Sequence, residues 1–269
     1  MKALSRIYIS LIVFFLYAPV LVMIAFSFNE SASVWVFNGF STKWYTGLLT
    51  DTIMLNALKH TLIIAILSAT ISTVIGTAAA VGITSLKNKF IKNSLMSVTQ
   101  IPMMNADIVT GISLMLLFIF IGKLIGLTES LGFVTVLIAH ITFNLPYVIL
   151  SVLPKLRQTD ANLSEAALDL GCTPVQAFFK VVLPSIMTGI ATGFIMAFTL
   201  SLDDFVISYF TCGHYQTLPI IIYNMTKKSV TPDAYALSTI IFIAIFILLI
   251  LYNILQGKNE KTARKGYAK

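Results

Sequence analysis

Hydrophobic and polar residues alternate along this chain in long blocks, and not with the short period of an amphipathic helix or strand. Six blocks are apolar over about 20 residues, which is the length that an α-helix needs to cross a lipid bilayer. They cover residues 8–28, 61–85, 98–124, 131–153, 181–207 and 235–255. We therefore predict an all-α, polytopic membrane protein with six transmembrane helices.

The composition agrees with a membrane protein. Only 11% of the 269 residues are charged, whereas soluble domains carry about 25%. The net charge of +7 comes from short basic clusters beside apolar blocks, which indicates membrane orientation and not nucleic-acid binding. The first apolar block is too long for a signal-peptide core and lacks a small-residue cleavage site, so we expect a retained helix with a kink at Pro19.

Lysine and arginine are distributed unevenly over the predicted topology. If the N-terminus is cytoplasmic, the outer side receives five of the 18 basic residues, namely Lys43, Lys59, Lys123, Lys227 and Lys228. Because cytoplasmic loops carry the excess of basic residues, this predicts that both termini lie in the cytoplasm. The longest polar interval, residues 154–180, then lies on the cytoplasmic face.

That interval contains the pattern of a short helix followed by a sharp turn. Asp160 or Asn162 can cap its start, and Asn162 with Glu165 has the spacing of a capping box. Gly171 suits the left-handed residue after a helix end, and Thr173, which precedes a proline, can cap the next helix. We predict a helix of about ten residues that ends near Gly171.

Two sets of side chains separate onto opposite sides of this predicted helix. The apolar side holds Leu163, Ala166, Ala167 and Leu170, and the acidic side holds Glu165 and Asp169. Because so short a helix is marginal alone, we expect that it docks to a cytoplasmic partner. The alternative is a solvated helix at the membrane interface.

The spacing in this loop resembles the EAA loop of ABC-transporter permeases. That motif reads EAA, three residues, Gly, nine residues and I-x-L-P, and Val181 in place of isoleucine is the one departure. The resemblance implies the type I ABC importer permease fold and identifies the loop as the coupling helix, which sits in a groove of the ATP-binding subunit. The residues implied at that joint are Glu165, Ala166, Ala167, Asp169 and Gly171.

The same resemblance predicts that transport and ATP hydrolysis are carried out by different subunits. The chain has no G-x-x-x-x-G-K-[ST] phosphate loop, so we expect it to bind no cofactor, to be no enzyme and to leave ATP and Mg²⁺ to a partner ATPase. We expect the first helix and an outer loop over residues 1–56 and the permease core over 57–256. The coupling helix lies near 161–171, and a basic cytoplasmic tail covers 257–269.

Three carboxylates interrupt the apolar blocks: Asp107, Asp203 and Asp204. A central Asp costs about 2.5–3.5 kcal/mol on insertion scales, so each should face water or protein. We expect a helix break at Pro102, and Asp107 after it, about nine residues into the third span and near mid-membrane. The adjacent pair should lie toward the outer end of the fifth span, where one member lines a path. The alternative is that these residues cap broken helices or bond to a neighbouring helix.

Aromatic residues in the first outer loop and beside the aspartate pair are further candidates for the path. A path bordered by Trp44, Tyr45, Phe205 and Tyr209 suits a cation, because aromatic faces attract cations by about 0.5–2 kcal/mol. Trp44 is equally well explained as an anchor at the membrane interface.

Five segments resemble the permease subunits of spermidine/putrescine importers: GFSTKWYTGLL, ADIVTGISLMLLF, HITFNLPYVI, EAALDLG and FTLSLDDFVISYF. The resemblance implies a bacterial inner-membrane location and polyamine import along a path shared with a second, homologous permease. It also implies two cytoplasmic ATP-binding subunits and an extracytoplasmic polyamine-binding protein. The implied path residues are Trp44, Tyr45, Asp107, Asp203 and Asp204.

Other functions stay open at this point. A permease for another small cationic or amino-containing solute would share much of the pattern, and an ion-coupled secondary transporter would also carry acids in its spans. A membrane enzyme is disfavoured, since no nucleophile–base pair stands out. The histidines and cysteines, His60, His140, His214, Cys172 and Cys212, show no metal-ligand spacing. The pattern does not separate spermidine from putrescine.

Overall fold

The computed structural model describes residues 2–31, 36–127, 129–160, 162–228 and 232–266. Within these ranges the regular structure is helical, apart from one isolated antiparallel bridge between Asn29 and Phe40. The all-α prediction is confirmed. The chain divides into two compact units, one of Met1–Asn56 with Ile221–Lys269 and one of Ala57–Ile220.

The helices in chain order are α1 (Lys2–Ser27), α2 (Lys43–Leu48), α3 (Thr52–Ser85), α4 (Lys89–Met104), α5 (Asp107–Ile125), α6 (Phe133–Gln158), α7 (Asn162–Asp169), α8 (Pro174–Ala177), α9 (Leu183–Ser185), α10 (Met187–Asp203), α11 (Val206–Thr211), α12 (Leu218–Lys228) and α13 (Pro232–Gly266). A π-helical turn at Phe178–Val182 joins α8 to α9.

Four helices are long and apolar enough to cross a membrane: α1 from Arg6 onward, α3, α5 and α6. The pair Pro174–Ser185 and Met187–Asp203 passes the same test only together, with a bend of 68° between its halves, and counts as a fifth crossing if it forms one span. The apolar stretch Pro232–Ile247 of α13 is shorter. The chain is thus a multi-pass membrane protein, and this pattern is consistent with six spans.

The third apolar block is broken into two helices close to Pro102, where we expected a break. Its break falls at Asn105 and Ala106, which adopt extended backbone, whereas Pro102 lies inside α4. The proline removes one backbone hydrogen bond shortly before α4 ends. Asp107 consequently occupies the first turn of α5, where the helix dipole favours a carboxylate. It does not lie nine residues into a span.

The fifth block is also interrupted. The chain bends at Ile186 and breaks again at Asp204, whose backbone is extended between α10 and α11. A continuous helix over residues 181–207 was therefore the wrong expectation. The breaks leave backbone groups that side chains must satisfy, and this requirement shapes the site described below.

The core of the second unit lies between α3, α6 and α10. Its buried apolar residues are Ala69, Ala80, Ile83, Val148, Ile149, Val152, Leu153, Ile186 and Ala197. The helices approach closely at glycines: a Cβ on Gly76 would lie 2.7 Å from the Val148 Cγ1 atom, and one on Gly193 would lie 3.3 Å from the Val148 Cα atom. Close packing through small residues is typical of membrane helices. This close packing holds α6 between α3 and α10.

In the first unit, α1 packs against α13, and α13 also contacts α2. The loop that follows α1 folds around Asn29. The Asn29 Nδ2 atom donates to the Val36 carbonyl at 2.8 Å, and the Asn38 amide donates to Asn29 Oδ1 at 3.0 Å. This loop positions Trp44 and Tyr45.

Candidate functional site

The loop between α6 and α10 begins with a helix that its own neighbours cap. The Asn162 amide donates to Asp160 Oδ1 at 3.0 Å, so Asp160, one of the two predicted candidates, caps the start, while Asn162 is the first residue of α7. At the other end Gly171 has φ of +83°. The Cys172 amide closes the helix by donating to the Ala167 carbonyl at 3.1 Å. This is the predicted left-handed glycine ending.

The chain then restarts at a second cap. The Thr173 hydroxyl accepts from the Gln176 amide at 3.3 Å, and Gln176 Oε1 accepts from the Thr173 amide at 3.1 Å. Pro174 takes the first position of α8, where its missing N–H costs nothing. We call Asp160–Gln176 the coupling segment. The chain leaves this segment within α8 and continues through the π-helical turn and α9 to the bend before α10.

The surface of the coupling segment differs from the predicted two-sided helix. Ala167 is buried, whereas Glu165, Ala166 and Asp169 are exposed. Large apolar side chains are also exposed on or next to the segment, namely Leu163, Leu168, Leu170, Val175 and Phe179. Acidic and apolar side chains are therefore both exposed along this segment.

The two adjacent aspartates at the α10–α11 break have different environments. Asp203 is the last residue of α10 and is exposed, whereas the Asp204 side chain is 9% exposed. The Asp204 carboxylate accepts from the Ser208 amide at 2.8 Å and from the Ile207 amide at 3.3 Å. Asp204 thus caps α11, the alternative that the sequence left open.

A buried polar network continues from Asp204 into the helix bundle. The His140 ring, on α6, is 2% exposed. Its Nε2 atom lies 3.3 Å from Asp204 Oδ2 and 2.9 Å from the Ser208 hydroxyl. Its Nδ1 atom lies 2.6 Å from the Ser201 hydroxyl. One imidazole therefore joins α6 to both sides of the break.

The network extends to α3. The Ser68 hydroxyl donates to the Ser201 hydroxyl at 2.9 Å, and Asn144 Nδ2 lies 3.5 Å from the Ser68 hydroxyl. We did not predict this network from the sequence. An available signal was His140 itself, because an ionisable side chain within an apolar span marks a functional position or a needed partner.

Asp107 lies exposed at the start of α5, and this helix packs against α11. A Cβ on Gly111 would lie 2.9 Å from the Phe210 ring and 3.6 Å from the Ile207 Cα atom. The structure thus places Asp107 on a helix that contacts the one following the Asp203–Asp204 break. Both exposed carboxylates belong to the second unit.

Trp44 and Tyr45 belong to the first unit and brace its loop. The Trp44 indole donates to the Asn29 carbonyl at 2.7 Å, and the Tyr45 hydroxyl lies 2.7 Å from the Ser27 hydroxyl. Lys43 Nζ lies 5.4 Å from the centre of the Trp44 ring, so this ring already faces a cation. Trp44 also lines a cleft of about 580 Å³.

Metal chemistry finds no support in the part of the chain that the structure describes. There, no group of three or more His, Cys, Asp or Glu residues could hold a metal ion. The polar groups described above are suited to hydrogen bonding and charge attraction.

Comparison with known proteins identifies the family. Residues 72–265 match the family described as binding-protein-dependent transport system inner membrane component. The chain belongs to this family. It is 40% identical over 258 residues to the putrescine transport system permease protein PotI of Escherichia coli (strain K12), covering 95% of this chain and 92% of the relative. It is 37% identical over 248 residues to the spermidine/putrescine transport system permease protein PotC of the same strain, covering 92% and 91% of the two chains.

Solved structures support the same fold. A bacterial ABC transporter involved in the import of the acidic polysaccharide alginate matches with a TM-score of 0.72, covering 96% of this chain and 95% of that one at 15% identity. An amino acid ABC transporter with histidines matches with a TM-score of 0.54 at 20% identity, covering 81% and 98%. The protein is thus an ABC transporter permease subunit, a transport component and not an enzyme.

Proposed function

We propose that this permease, paired with a second homologous permease subunit, forms the path through which an ATP-driven importer takes up putrescine or spermidine. The observation that carries the proposal is identity of 37–40% over more than nine-tenths of the chain to permeases named for these two polyamines. The acidic residues at the helix breaks before α5 and after α10 also support a polyamine substrate. Exposed carboxylates suit a flexible molecule with several ammonium groups, and would repel an anion.

Within the path, Asp107 and Asp203 are the proposed polyamine contacts, since both are exposed at helix ends in the second unit. A carboxylate exposed at a helix end can be approached by an ammonium group from outside the bundle. Asp204 shapes the path by capping α11 and does not contact the polyamine. Trp44 and Tyr45 contribute aromatic faces on the outer loop, where Trp44 already faces Lys43.

The coupling segment is the proposed joint with one of two cytoplasmic ATP-binding subunits, which bind Mg²⁺ and ATP. Glu165 and Asp169 supply charge, Ala166 allows close approach, and Ala167 and Gly171 hold the shape of the segment. Because α7 and α8 are both capped and a short helical path leads to α10, a push on α7 reaches the α10 bend. ATP-driven closure would in this way alternate access to the path.

An extracytoplasmic polyamine-binding protein completes the proposed importer. A structure of the alginate transporter contains a periplasmic protein bound to an alginate pentasaccharide, and the fold similarity supports an equivalent partner here. The distribution of basic residues supports a bacterial inner-membrane protein with both termini in the cytoplasm and the coupling segment beside the ATPases.

A pair of substitutions tests the path. In cells without another polyamine importer, Asp203→Asn and Asp107→Asn should each lower the uptake of labelled putrescine or spermidine by about tenfold, the effect of losing one charge-assisted contact. The amount of assembled transporter should not change. Glu129→Gln is the matched control, because the Glu129 side chain is 77% exposed outside the helices.

Normal uptake by both variants would contradict the assigned path. Polyamine uptake that is driven by an ion gradient in the absence of the ATPase subunits would instead support a secondary transporter.

A further inference from the structure

The α10–α11 break is held by a side chain that is distant in sequence. His140 lies 61 residues before Ser201 and 68 before Ser208, yet its two ring nitrogens contact residues on both sides of the break. It is almost fully buried. The break therefore depends on α6 for its geometry, in addition to the local cap that Asp204 provides.

Counting hydrogen-bond donors gives the network one direction. The Asp204 carboxylate can only accept, so the His140 Nε2 atom, which lies 3.3 Å from Asp204 Oδ2, carries the imidazole proton. In a neutral imidazole Nδ1 is then the acceptor, and the Ser201 hydroxyl donates to it. The chain of donors thus ends at the Asp204 carboxylate, the strongest acceptor present.

The hydrogen bonds to Asp204 also affect the neighbouring Asp203. The Asp204 carboxylate is turned into the protein by the His140 Nε2 atom and by two α11 amides. Successive side chains on a helix point about 100° apart, and Asp203 is exposed. Fixing Asp204 inward therefore fixes the direction in which Asp203 leaves the end of α10.

We propose that His140 is a positioning residue for the substrate path, which holds Asp204 inward through its Nε2 atom and thereby presents Asp203 to the polyamine. The inference rests on the proposed function only for the identity of the ligand. The geometric part, that His140 controls the orientation of residue 203, stands apart from what is transported.

A thiol-labelling experiment on the assembled transporter tests the geometric part. In a Cys172→Ser background, Asp203→Cys introduces a thiol whose rate of reaction with N-ethylmaleimide reports its exposure. The background without the new thiol is measured in parallel, because it retains Cys212. The reagent is neutral, so a changed local charge does not affect its approach. Adding His140→Leu should slow this reaction about fivefold or more, the effect of losing a buried hydrogen bond to a charged group. His214→Leu is the control, because His214 is 91% exposed.

Two further variants separate positioning from a general loss of packing. His140→Gln keeps a donor near the Nε2 position and should label like wild type, whereas His140→Asn keeps only the Nδ1 contact and should label like His140→Leu. Co-purification of the partner subunits reports assembly. If His140→Leu does not assemble, the comparison of His140→Gln with His140→Asn tests the positioning role by itself. Wild-type rates in the asparagine variant, or rescue by asparagine and not by glutamine, would overturn the proposal.

Uptake by the same variants connects the geometry to transport. With Asp203 intact, His140→Asn should raise the concentration of polyamine-loaded binding protein that gives half-maximal polyamine uptake, while assembly stays normal. It should have no further effect once Asp203→Asn is present. Additive losses would overturn the positioning role. If the wild type transports no polyamine, the proposed function fails, and the labelling result alone decides the role of His140.

Discussion

The coupling segment and the α10–α11 break both carry acidic residues, but the two regions hold them by different means. In the coupling segment the bonds are local: Asp160 caps the helix that begins two residues later, and Thr173 and Gln176 cap each other. At the break, Asp204 is held partly by His140 of a distant helix. Glu165 and Asp169 are left exposed, whereas Asp204 is turned inward.

This difference indicates what each acid can do. An exposed carboxylate on a locally braced helix can act on a partner protein, and replacing it leaves the fold intact. A buried carboxylate acts on its own chain, because removing it leaves donors without acceptors. The adjacent Asp203 combines an exposed side chain with a backbone that the buried network holds.

The largest effect should follow from Asp204→Ala, which breaks the buried region. It removes the cap of α11 and leaves His140 Nε2 without its charged acceptor, so we expect a loss of about 2–4 kcal/mol in stability. Assembled transporter should decrease strongly, and the melting temperature of the purified complex should fall. Asp203→Asn, at the neighbouring residue, is the control and should change neither the amount of assembled transporter nor the melting temperature. Equal destabilisation by the two substitutions would contradict the difference between a buried Asp204 and an exposed Asp203.

Glu165→Lys should abolish transport by a different route. A reversed charge on the docking surface should cost several kcal/mol of ATPase binding, while the permease still reaches the membrane in normal amounts and keeps its melting temperature. Glu165→Gln removes the charge without reversing it, so its binding to the ATPase should be weaker than that of the wild type and stronger than that of Glu165→Lys. Co-purification of the ATPase measures the effect, and undiminished binding of the ATPase to the lysine variant would argue against a docking role.

Gly171→Ala should have the smallest effect. The added methyl group meets no atom within 4 Å, so the cost is the left-handed backbone alone, about 1–2 kcal/mol. Polyamine-stimulated ATP hydrolysis should fall more than the level of protein. Gly82→Ala is the control, since that glycine also has open space around it but no positive φ; equal effects at the two sites would show that backbone conformation at residue 171 is unimportant.

The same contrast explains what the sequence could predict. The glycine ending and the Thr173 cap of the coupling segment were predictable because each depends on residues a few positions apart. Apolar block length likewise predicted the all-α membrane class. The break in the third block was expected at Pro102 but lies at Asn105 and Ala106, because a proline near a helix end does not fix the residue at which the helix stops.

The buried network was missed for another reason. Ser68 and Ser201 are ordinary members of an apolar helix. His140 is an unusual one, but only the packing of three helices brings it together with the two serines. Adjacent aspartates also look equivalent in a sequence. Their separation into a capping residue and an exposed residue depends on where α10 ends, which is set by contacts between helices distant in the chain.

The most direct test of polyamine import is ATP hydrolysis by the complete transporter in lipid vesicles, with each candidate solute presented on its binding protein. We predict that putrescine- or spermidine-loaded binding protein stimulates hydrolysis and that the polyamine accumulates inside the vesicles. Stimulation by a non-polyamine solute alone, or polyamine accumulation without ATP hydrolysis, would contradict this account.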